Sequence, residues 1–65
     1  MSPTEITLLA GDRHRVEGEP ADVERRILNA ARGSLLEFAW LTDAATGEPI
    51  ALNPEHVVML RAVST

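Results

Sequence analysis

Two apolar runs in the last third of the chain constrain the fold most. They are Leu35-Leu36-Glu37-Phe38-Ala39-Trp40-Leu41 and Val57-Val58-Met59-Leu60-Arg61-Ala62-Val63. Between them lie a turn signal, Asp43-Ala44-Ala45-Thr46-Gly47, and a shorter apolar piece, Ile50-Ala51-Leu52. Short apolar runs bounded by turn residues predict three successive antiparallel strands. No other part of the chain carries enough apolar surface to nucleate a core. Pro49 cannot donate a ladder bond, so the middle strand should be an edge or begin just after the proline. In Asn53-Pro54-Glu55-His56, proline at the second position after asparagine predicts a type I turn.

Towards the N-terminus, Met1 to Thr4 reads as a tail. Glu5-Ile6-Thr7-Leu8-Leu9-Ala10 alternates polar and apolar residues and predicts a strand with Ile6, Leu8 and Ala10 on one face. Gly11-Asp12 is a turn signal. Arg13-His14-Arg15-Val16-Glu17 is then either the return strand of a hairpin or the continuation of a bulged first strand, the hairpin being preferred.

A helix is predicted over Pro20 to Arg32. Pro20 suits the first helical position because its missing N–H would be unpaired there. Val23, Ile27, Ala30 and Ala31 make one apolar stripe. Asp22 and Glu24 complement the dipole in the first turn and Arg32 in the last, while Asp22 can pair with Arg25 or Arg26. Gly33 predicts a left-handed stop. The fold class expected is α+β: a small antiparallel sheet of about five short strands, in the order β-β-α-β-β-β, with the helix packed on one face.

Length makes this one domain, residues 1–65, of the size that buries only about 60% of its unfolded surface. Domains so small often need a staple, and the absence of Cys excludes disulfides and Cys-rich zinc sites. Partner subunits are the staple that remains. The net charge is −4 and all six basic residues are Arg. That balance makes nucleic acid an unfavourable partner. Arg-only, Ala-rich usage points to a high-GC bacterial genome. There is no run of roughly 18 apolar residues and no signal-peptide pattern, so cytoplasmic residence without membrane contact is expected.

Three groups invite a chemical reading. His56 beside Glu55 and Asn53 could move a proton, although a polar turn residue explains it as well. His14 with Asp12 or His56 lacks a third metal ligand. Arg13, Arg15, Arg25, Arg26 and Arg32 could gather an anion, but Glu17, Glu19, Asp22 and Glu24 intervene as ordinary charge partners. Neither a phosphate loop nor a nucleophile elbow is present. No catalytic residue, cofactor or metal site is therefore assigned, and an enzyme is not expected.

Glu19-Pro20-Ala21-Asp22-Val23-Glu24, Gly33, Trp40-Leu41-Thr42-Asp43, Thr46-Gly47-Glu48 and Pro54-Glu55-His56-Val57-Val58, taken with the leading strand, resemble small actinobacterial proteins of about this length. The resemblance covers most of the chain and implies a sheet plus one helix, with no activity assigned. Gly47-Glu48-Pro49-Ile50-Ala51-Leu52-Asn53-Pro54-Glu55-His56-Val57 also resembles the core of FlbD-type flagellar proteins, which lack this helix.

Both faces of the two apolar runs carry large side chains, while one helix covers one face. We read Phe38 and Leu60 as lying under the helix and Trp40 towards the rim. The function expected is a non-catalytic interaction module, either a homo-oligomer or one docking on a larger protein, with Leu36, Phe38, Trp40, Val57 and Met59 as candidate interface residues. The competing reading is a nucleic-acid- or nucleotide-binding domain that uses Trp40 with Arg13, Arg15, Arg25 and Arg26.

Overall fold

A computed structural model describes residues 3–33 and 37–63. Among these are β1 (Thr4–Leu8), β2 (Arg13–Val16), α1 (Pro20–Ala31), β3 (Ala39–Thr42), β4 (Pro49–Leu52), a 3₁₀ turn (Pro54–His56) and β5 (Val57–Ala62). The class is α+β and the order is the predicted β-β-α-β-β-β.

β1 and β2 form the hairpin, pairing Thr4 with Val16 through Thr7 with Arg13. The turn is closed by Leu8 N–H to the Asp12 carbonyl (2.9 Å) and Gly11 N–H to the Leu8 carbonyl (2.9 Å), with Gly11 at φ +93°. Strand β1 ends at Leu8, which leaves Ala10 exposed in the turn rather than on the core face. The predicted tail is too long by one residue at least. Thr4 is fully buried, and its hydroxyl donates to the Gly18 carbonyl at 2.9 Å.

The strands divide between two sheets: a three-stranded one, ordered β2-β1-β5, and the pair β3-β4. Beyond Val16 the chain turns away into α1, so β2 meets β3 only at their ends. Among the described residues one bridge, Val16 to Asp43, joins the sheets, with Glu17 N–H donating to the Thr42 carbonyl (2.8 Å) and Ala44 N–H to the Arg15 carbonyl (2.9 Å). As Pro49 predicted, β4 is an edge strand.

Helix α1 opens on Pro20 and packs against β3, the 3₁₀ turn and β5. Val23, Ile27 and Ala30 are buried, joining Ile6, Val16, Ala39, Leu41 and Leu52 in the core. Ala31 is exposed, at the margin of the stripe. The helix does not end on a left-handed Gly33. Arg32 is the C-cap in a right-handed conformation, and Gly33 N–H closes the last turn onto the Ala30 carbonyl at 3.2 Å.

Strand β5 holds the largest departure from simple alternation. Leu8 pairs with Val57 and Thr7 with Met59, so Val58 is an extra residue, a β-bulge. The bulge shifts the side-chain parity by one. Val57 and Leu60 therefore both pack against the core, while Val58 and Met59 are exposed.

Candidate functional site

Strand β3 and the residue before it expose the two aromatic side chains of the chain. Ala39 pairs with Leu52 and Leu41 with Ile50 on the core side, and Trp40 lies opposite the small Ala51 on the outer side. Ala39 and Leu41 are buried, whereas Trp40 is 63% exposed and Phe38 50%. Phe38 is thus not under the helix. Ala39 and Leu41 share the core with Ile27 and Ala30 of α1, and Phe38, just before β3, is left exposed like Trp40. The chain has one Phe, one Trp and no Tyr, so its core holds none of these aromatic side chains.

The other candidate interface residues do not all join this surface. Met59 is exposed but belongs to the other sheet, at its β5 edge. Val57 faces the core because of the bulge, and Val58 takes the outer position. Leu36 lies outside the described residues.

The four candidate anion contacts are split. Arg13 and Arg15 sit on the outward face of β2, since they pair with Thr7 and Glu5 while Ile6 and Val16 point into the core. Arg25 and Arg26 belong to α1 and line an open cleft with Glu17, Asp22, Asn29 and Thr42. There Arg25 lies 3.6 Å from Asp22, an exposed pair of small energetic weight. Trp40 is on a third surface. The arginines and the indole do not form one site.

Sequence reasoning missed a different grouping. Register places Arg15, Glu5 and Arg61 in one cross-strand row, and Arg13, Thr7 and Met59 in the next. Glu5, only 8% exposed, accepts a hydrogen bond from Arg61 Nη2 at 2.6 Å, and its other oxygen is 4.0 Å from Arg15 Nε. The hairpin turn already implied that Arg15 meets Glu5. Arg61 could not be placed, because its partner is 56 residues away and the bulge precedes it.

The histidines come together more than their sequence separation suggested. His14 and His56 line one open cleft with Leu8, Ile50, Ala51 and Asn53. Asn53 Oδ1 accepts from Glu55 N–H at 2.9 Å and caps the 3₁₀ turn, while Asn53 Nδ2 lies 3.5 Å from His56 Nε2. These contacts order the turn. Among the described residues no three His, Cys, Asp or Glu side chains group closely enough to hold a metal ion. Among the same residues no helix is long and apolar enough to cross a membrane. No protein-family model, curated protein or solved structure matches the chain.

Proposed function

We propose that the chain is a non-catalytic interaction module that associates with copies of itself through the aromatic outer face of β3-β4. The observation that carries this reading is the position of Trp40 and Phe38. Ala39 and Leu41 of β3 turn to the core, while Trp40 of β3 and Phe38 just before it, the two largest apolar side chains of the chain, stay exposed. Burying a side chain of this size stabilises by roughly 1.5–3 kcal/mol. Aromatic residues are also the usual anchors of interface cores. A second copy laid on this face would supply the burial that a 65-residue core cannot provide alone.

Sedimentation equilibrium over the micromolar range tests the proposal. The expected species is heavier than the 7.1 kDa monomer, and Trp40→Ser should return it towards monomer. Wild-type protein that stays at 7.1 kDa throughout would overturn self-association.

A further inference from the structure

We propose that the outward face of the β2-β1-β5 sheet, on the other sheet from Trp40, docks an extended acidic protein segment. Its two cross-strand rows, Arg15-Glu5-Arg61 and Arg13-Thr7-Met59, hold three of the six arginines against one carboxylate. The face therefore carries +2 in a chain of net charge −4, and the remaining surface carries −6. Asp12 and Glu17 flank β2 outside the paired rows. Arg13 forms no ion pair among the described residues. The Arg15 and Arg61 side chains are 62% and 59% exposed although both lean on Glu5, so each has donors left for a ligand.

Guanidinium forks match carboxylates bidentately, which makes arginine the side chain suited to this role. Arg13 and Arg15 are two positions apart on one strand, a spacing of about 7 Å. An extended segment with an acidic residue at every second position repeats at the same distance. Met59 adds an apolar contact beside the charges. A nucleic acid fits less well, because its dense phosphates would meet Glu5 at the centre and the −6 of the surrounding surface.

The test uses a synthetic peptide of alternating glutamate and serine, about ten residues long, with a single-stranded oligonucleotide of equal charge as comparison. Titration calorimetry should show peptide binding that weakens with salt. Arg13→Gln, Arg15→Gln and Arg61→Gln should each lower affinity roughly fivefold, the worth of one exposed ion pair. Glu5→Gln should raise it by removing the internal competitor, and Arg25→Gln on the helix should leave it unchanged. Arg13→Gln breaks no ion pair among the described residues, and thermal melts check that each variant still folds. Absence of peptide binding would overturn the proposal. So would tighter binding of the oligonucleotide, or an equal loss with Arg25→Gln.

Discussion

The Thr7 hydroxyl lies on the central strand of the sheet face, buried and without a hydrogen-bond partner among the described residues. A buried hydroxyl left unpaired costs about 1–3 kcal/mol, while an apolar group of the same shape carries no such penalty. Thr7→Val should therefore raise stability by about 0.5–1 kcal/mol, a gain of a few degrees in melting temperature. A lower melting temperature would mean that the hydroxyl is satisfied. The turns expected at Asp43–Gly47 and Asn53–His56 are present: the Asp43 carboxylate accepts from Ala45 N–H (2.7 Å) and Thr46 N–H (3.2 Å), and Asn53 caps a 3₁₀ turn where a type I turn is expected. Phe38 departs from its expected place. Pattern alone could not say which of two apolar faces α1 would choose, because both faces of the run carry large apolar side chains.

At the scale of elements, α1 was the most legible part of the chain, since Pro20 and the Val23-Ile27-Ala30 stripe act locally. Ile27 is buried in the middle of that stripe. Ile27→Ala should cost roughly 2–5 kcal/mol, most of the stability available to a domain of this size. The melting temperature should fall by about 10 °C or more. A shift of only a degree or two would show that α1 is not held there. Strand β5 was the least legible element. Nothing in Val57-Val58-Met59 marks the bulge, which shows only in the register of β5 against β1, at the other end of the chain. That one residue sends Val57 inward and brings Arg61 opposite Glu5. The helix end was misread for a smaller reason: one tight bond from Gly33 N–H to the Ala30 carbonyl replaces the left-handed cap.

Taken whole, the molecule has two outer sheet faces of opposite character. One, on β3-β4, is aromatic; the other, on β2-β1-β5, is basic in an acidic protein. Apolar surplus was legible in the sequence, but its division between two sheets was not, since β2 meets the end of β3 through an isolated bridge, Val16 to Asp43, rather than a continuous ladder. With no cysteine and no grouped metal ligands among the described residues, stability should not depend on a bound metal. Melting temperatures should be equal with and without a chelator, and a drop on chelation would reveal a structural ion. The central claim, association through the aromatic face, can be read directly from Trp40, the only tryptophan in the chain. Its fluorescence and its quenching by acrylamide should be followed from nanomolar to high micromolar protein. Emission should move to shorter wavelength and quenching should fall as concentration rises, with no such change once Phe38 is replaced by serine. Emission and quenching that stay those of an exposed indole, while the sedimenting mass rises, would contradict the claim.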